Sequence, residues 1–248
     1  MHVFSLEKKI RMRRKILIPP ISPAKAKRRT IVLDLDDTLT VLGDHRHATL
    51  PCYCMKAVFD RAVYHTHRRY LKEFLVFAAD RFELILWTAG TKGYADVAVQ
   101  KIFETVGRSD VFDHVIARDP AWFNISETSW YDKTLEQLGR PIERVIMFEN
   151  APVVVPMSNC VMVQDLLFRM REGPKTVEAA EDATLENAKY LLERWDEELD
   201  AAAFLKREAS LGYLTAETFR QIQTNRPLAG YSLSILPVKP KAVAASKL

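Results

Sequence analysis

Three cysteines in 248 residues, Cys52, Cys54 and Cys160, are too few for a disulfide framework. The Cys-x-Cys pair has no second pair at zinc-site spacing, so free thiols in a reducing compartment are expected. No apolar run approaches the roughly 20 residues that span a bilayer. No basic start, apolar core and small-residue cleavage site marks a secretory leader. A secreted or membrane-spanning protein is therefore not expected, and the glycosylation match at Asn124-Ile125-Ser126 has no secretory route to serve it. Gly173-Pro174-Lys175-Thr176 lacks the glycine spacing of a phosphate loop and reads as a turn. There is no internal repeat.

What is present is an ordinary globular composition, 48% apolar and 27% charged, in a chain long enough for one sizeable core. The net charge of +4 conceals an asymmetry. Residues 1–29 hold ten Lys/Arg against one acid, Glu7, a charge of +9 that leaves −5 on the other 219 residues. A basic arm over 1–28 suits a polyanion, RNA or an anionic surface; a solvated leader and an Arg-rich mitochondrial presequence are the other readings. The chain ends Ser246-Lys247-Leu248, a peroxisomal address when free. An organelle of the peroxisome type is the first expectation, the mitochondrion the second.

Past a Pro-rich linker at 19–24, hydrophobic runs alternate with helical patterns. RRTIVLDLD at 28–36 reads as a buried strand delivering acids at its end, and a second strand is expected at 59–65. RYLKEFLVFAA at 69–79 has helical spacing through Tyr70, Phe74 and Ala78. FELILWTA at 82–89 is again a strand, YADVAVQKIFETV at 94–106 a helix stopped by Gly107, and VFDHVIA at 111–117 a short strand. A short helix at 130–138, closed by Gly139 and Pro141, precedes the strand ERVIMFEN at 143–150. Alternation of this kind predicts an α/β fold, a parallel Rossmann-like sheet covered by helices, with ligands beyond the carboxyl ends of its strands. Asp34 and Asp36, Thr88, and Glu149 and Asn150 all fall at such ends. Further on, a long helix capped by Asp182 is predicted over 182–205, a second helix from Thr215 to about Gln223, and an aperiodic tail from Arg226. The body is expected to span 29–195, with a helical extension and tail over 196–248.

Two carboxylates two residues apart at a strand end can address one point once the backbone turns. One can attack phosphorus and the other can protonate the leaving oxygen, then deprotonate water. A cation must relieve the repulsion between carboxylate and phosphate. Two acids at a strand end can also simply cap a turn.

The segments DLDDTL at 34–39, WTAG at 87–90, Lys133 and Glu149-Asn150 follow the order of the haloacid-dehalogenase superfamily, which the chain resembles. It resembles more closely the RNA polymerase II C-terminal-domain phosphatase, or NLI-interacting-factor-like, family, through YAD at 94–96, FDHVIARD at 112–119 and LEQLGRPIERVIMFEN at 135–150. The resemblance covers roughly 29–195. It implies Asp34 as nucleophile and Mg²⁺ ligand, and Asp36 as general acid and base that offers its carbonyl to the metal. It implies Thr38, Thr88 and Ala89 around the phosphoryl oxygens, Lys133 as a helical counter-cation, and Asn150 as a metal ligand. Glu149 stands where the family has Asp, which moves a carboxylate by one methylene. Arg68-Arg69 replaces the family's Arg-Pro, implying a different substrate groove, and Arg118 matches a family arginine near the substrate.

The stretch from Thr88 to Lys133 has no room for a large cap domain, only a small insertion, so a phosphoserine or phosphothreonine loop of a protein is the expected substrate. The alternative is a scaffold that keeps the fold, as one mitochondrial import receptor relative does, and joins a larger assembly through its C-terminal helices. His45-x-His47 and His65-x-His67 lack a third metal ligand and read as surface or groove histidines; Trp87, Trp122, Trp130 and Trp195 read as core.

Overall fold

The computed structural model describes residues 15–26, 28–43, 50–55, 62–123, 131–164, 182–195, 199–220 and 227–233. The first 14 residues of the arm, His45, His47, Asn124–Ser126, Trp130, Gly173–Thr176 and the terminal tripeptide lie outside them.

β1 (Thr30–Leu33) is the centre of the fold. Beyond it the chain forms β2 (Thr40–Gly43), β3 (Cys52–Cys54) and β4 (Tyr64–His67), which make a small antiparallel sheet ordered β2-β4-β3. Helix α1 (Leu71–Arg81), β5 (Glu83–Trp87), helix α2 (Lys92–Val106) and β6 (His114–Ile116) follow. Then come β7 (Lys133–Thr134), β8 (Val145–Glu149), β9 (Val154–Val155) and β10 (Cys160–Met162). The last elements are helices α3 (Thr184–Glu193) and α4 (Ala201–Ser210), then β11 (Leu214–Arg220) and β12 (Pro227–Leu233). The main sheet has seven strands in the order β11-β12-β10-β8-β1-β5-β6, and only β11 runs antiparallel to its neighbour. This is the α/β architecture that the alternating pattern predicted.

Every residue of β1, β5 and β8 is buried, because the sheet is covered on both faces. Successive side chains point to opposite faces. Ile31 and Leu33 join Leu84, Leu86, Ile146 and Phe148 in a core shared with the four helices. Val32 joins Ile85, Trp87, Met147, Leu135 and Leu138 in the other. Each such large apolar side chain contributes on the order of 2 kcal/mol when fully buried. The parallel register aligns Leu33 with Leu86 on one side and Phe148 on the other. Asp34, Thr88 and Glu149 therefore leave the sheet along one edge.

Gly107, at φ +80°, ends α2 as predicted. Four expectations need correction. Lys133 is on a short strand, not a helix: its N–H donates to the Val153 carbonyl at 2.7 Å, and a 3-10 turn over Leu135–Leu138 follows. The helix expected over 182–205 is two, broken at Trp195. The indole stacks between Phe82 and Phe204, with ring centroids 6.2 and 5.8 Å away and the Arg29 guanidinium 4.4 Å from the ring. The helix expected from Thr215 is β11, and the tail begins with β12, which pairs with β10 through Val161–Tyr231 and Met162–Ser232. Helical propensity there yields to pairing and packing. Gly230 in β12 is closely approached: a Cβ would lie 2.8 Å from the Met157 methyl and 3.2 Å from the Phe219 ring.

Candidate active site

Asp34 follows β1 directly, its N–H held by the Phe148 carbonyl at 3.0 Å. The extended backbone of β7 carries Lys133 under the sheet edge. Its wholly buried ammonium donates to Asp34 Oδ1 at 2.5 Å, Glu149 Oε2 at 2.7 Å and the Trp87 carbonyl at 2.7 Å. Three acceptors satisfy all three N–H bonds of a lysine. Glu149 Oε1 accepts from the N–H groups of Asn150 and Ala151 at 3.1 and 3.2 Å. Two carboxylates thus share one ammonium in a dry site. Burial, then the Asp34 charge, pushes Glu149 up to about 7, against the pull of Lys133. Burial by itself would lower the Lys133 pKa; Asp34 and Glu149 more than reverse this and raise it.

Asp36 lies at the end of the next half-turn. One oxygen accepts from the Tyr94 hydroxyl and the other from Thr88 Oγ1 at 3.4 Å. Burial chiefly raises its pKa to about 6, Tyr94 holding it back and Asp34 adding to the rise. Thr88 Oγ1 accepts from Gly90 N–H at 2.9 Å, which fixes the loop between β5 and α2. Thr38 is buried, and its hydroxyl has no hydrogen-bond partner among the described residues. That leaves a donor free to meet an anion.

Lys133, Asp34 and Glu149 meet directly, as do Asp36 and Thr88. Asn150 follows Glu149 at the strand end. Arg118 is set one loop away: its Nε donates to the Ala89 carbonyl at 2.7 Å, and its guanidinium lies 4.5 Å from the Phe123 ring centroid. It buttresses the Ala89–Gly90 loop.

Of the Arg68-Arg69 pair, read as a mark of a different substrate groove, Arg68 turns away from solvent. Arg68 is buried, with all its contacts directed inward, while Arg69 lies over the Tyr70 ring. His65 and His67 are not surface groups either; both are fully buried, on the face of β4 toward Tyr53 and Tyr94. Tyr94 sits in a segment that matters by its sequence, but its hydrogen bond to Asp36 spans 58 residues and leaves no local mark.

The oxygens at the strand ends that remain for a metal are Asp34 Oδ2, the Asp36 carbonyl and the Asn150 side chain. Glu149 spends both carboxylate oxygens on Lys133 and the backbone. Among the described residues no three His, Cys, Asp or Glu side chains gather as a metal cluster. A donor set of one carboxylate with neutral oxygens is hard, and suits an ion that keeps several waters.

The sequence profile of the NLI interacting factor-like phosphatase family matches residues 29–201. The chain belongs to this family. It is 30% identical over 141 residues to the CTD small phosphatase-like protein 1 of Caenorhabditis elegans, covering 56% of this chain and 27% of that one. It is 27% identical over 155 residues to the human CTD small phosphatase-like protein, covering 60% and 53%. Among solved structures, the fission yeast RNA polymerase II CTD phosphatase Fcp1 aligns with a TM-score of 0.45 at 20% identity, over 75% of this chain and 55% of that one. The chain spans about a quarter to a half of the length of the two curated relatives.

Proposed function

We propose that this family member hydrolyses phosphoserine or phosphothreonine on protein segments through a phosphoaspartate at Asp34. The observation that carries the proposal is the pairing of a buried Asp34, held by Lys133, with a half-buried Asp36 that accepts from Tyr94 and Thr88. A nucleophile and an acid–base group with separated environments suit such chemistry.

The Asp34 carboxylate attacks phosphorus and the bond from phosphorus to the serine or threonine oxygen breaks. Asp36, protonated, gives its proton to that oxygen. Asp36, now ionised, takes a proton from water as the water oxygen attacks the same phosphorus. Inorganic phosphate leaves and the Asp34 carboxylate is restored. Lys133 holds Asp34 in position and offsets its charge. The Thr38 and Thr88 hydroxyls would meet the phosphoryl oxygens. Mg²⁺, held by Asp34, the Asp36 carbonyl and Asn150, would neutralise charge on the phosphoryl group. A macromolecular substrate is supported by the chain between Thr88 and Lys133, whose described residues are α2, β6 and their loops. The names of the relatives point the same way.

The test is Mg²⁺-dependent release of phosphate from p-nitrophenyl phosphate. Asp34→Asn should lower kcat on the order of 10³-fold or more. A metal-replete wild-type preparation that turns over no faster than this variant would overturn the proposal and leave the scaffold reading.

A further inference from the structure

The turn that carries Asp36 and Thr38 is tight and turns through an unusual residue. Asp37 has φ +61°, the left-handed region that non-glycine residues enter at a cost. On the inside, the turn bonds to itself: the Leu35 carbonyl accepts from Leu39 N–H at 2.9 Å, Thr40 N–H at 3.0 Å and Thr40 Oγ1 at 3.2 Å. Asp37 N–H donates to the Thr40 carbonyl at 2.6 Å. The Asp37 and Thr38 carbonyls accept from a side chain outside the turn.

That side chain is Arg68. It is 1% exposed and immediately precedes the approach to α1. One terminal nitrogen donates to the Asp37 carbonyl at 3.2 Å and the Thr38 carbonyl at 3.0 Å. The other donates to the Gln164 carbonyl at 2.6 Å, and Nε to Asp182 Oδ2 at 2.6 Å. Asp182, itself buried, is oriented in turn by Thr184, whose N–H and hydroxyl donate to Oδ1 at 3.2 and 2.6 Å. The main chain of Arg68 is also tied to the turn, its N–H donating to the Leu39 carbonyl at 3.0 Å. A guanidinium presents its donors as a rigid fork in several directions, which a lysine ammonium at one point cannot copy.

We propose that Arg68, oriented by Asp182, is a positioning residue that holds the Asp36–Thr38 turn in its reactive shape. It touches no substrate. It acts through the backbone that immediately follows the general acid, at Asp37, Thr38 and Leu39, and it makes that geometry depend on two chain positions remote in sequence, Gln164 and Asp182. The catalytic consequence rests on the phosphatase reading; the mechanical one does not.

Two measurements on the full chain, with Arg68→Lys and the isosteric Asp182→Asn, test it. The first is amide exchange. The Leu39 and Thr40 amides should exchange about tenfold or more faster in both variants, while the amides of β5 and β8 change by less than about twofold. Unchanged exchange at Leu39 and Thr40 in both variants overturns the proposal whether or not the protein is an enzyme. Equal loosening throughout the sheet overturns it too, because that marks a global loss of stability. The second is leaving-group dependence. A displaced general acid hurts poor leaving groups most, so kcat on a phosphoserine peptide should fall about tenfold or more, but less than about threefold on an aryl phosphate with an acidic phenol. Equal losses on both substrates overturn the positioning of Asp36. A wild type without turnover sinks the phosphatase reading and leaves the exchange result to decide the clamp.

Discussion

Gly90 shows how closely the site is fitted around single atoms. A Cβ there would collide with the Tyr94 ring and lie 3.2 Å from Thr88 Oγ1. The ring cannot yield without drawing its hydroxyl off Asp36. Gly90→Ala should therefore lower kcat about 10- to 100-fold, the worth of one hydrogen bond to a charged group. Tyr94→Phe should lower it by a similar factor, and the double variant by little more than either alone. Full additivity in steady-state kinetics would show that the two act independently. The acids, Thr88 and Lys133 were all legible in the sequence, because each sits next to a hydrophobic run or in a family segment. Arg68 and Tyr94 were not legible in their roles. Their partners lie 30 to 114 residues away, and burial, which makes an arginine structural rather than substrate-facing, leaves no mark in a charged residue's immediate neighbours.

At the scale of elements, the long apolar strands and amphipathic helices were readable because each carries enough residues to display its period. β7 has two residues and β10 three, too few for any period, yet β7 decides where Lys133 goes. β11 reads as a capped helix and becomes a strand because β12 pairs along its whole length, from Leu214–Leu233 to Arg220–Pro227. That hairpin closes the sheet beyond β10, and Phe204, Leu205, Leu214 and Leu233 complete the core. The family match stops at residue 201, short of these groups. A chain ended there would expose the edge of β10 and strip four apolar side chains from the core. It should be largely insoluble on expression, or unfold at least about 10 °C below the full chain. A soluble product with an unchanged melting temperature would mean that the hairpin is an accessory.

For the whole molecule, the small antiparallel sheet sets a dependence on acid. Burial, reinforced in His65 by its neighbour His67, lowers the His65 pKa to about 3, and burial lowers that of His67 to about 4. Both values lie below the ordinary 6.5, so the unfolded chain takes up these protons first. Stability from these groups is complete above about pH 6.5 and declines as pH falls toward the folded values, by about 1.4 kcal/mol per pH unit for each histidine. Urea unfolding at pH 7 and pH 4.5 should show a drop smaller by about 2.5 kcal/mol in His65→Phe than in wild type. An identical drop would mean that His65 already carries a proton when folded.

β1 has a consequence for how this chain can vary. Ile31 and Leu33 face one core and Val32 the other, and its register with both neighbours brings Asp34 level with Lys133. Exchanging one aliphatic side chain for another there disturbs packing by small increments. Inserting or deleting a single residue turns every side chain to the wrong face and takes both carboxylates out of alignment. Descendants of this sequence should therefore differ in the letters of residues 30–33 but never in their number.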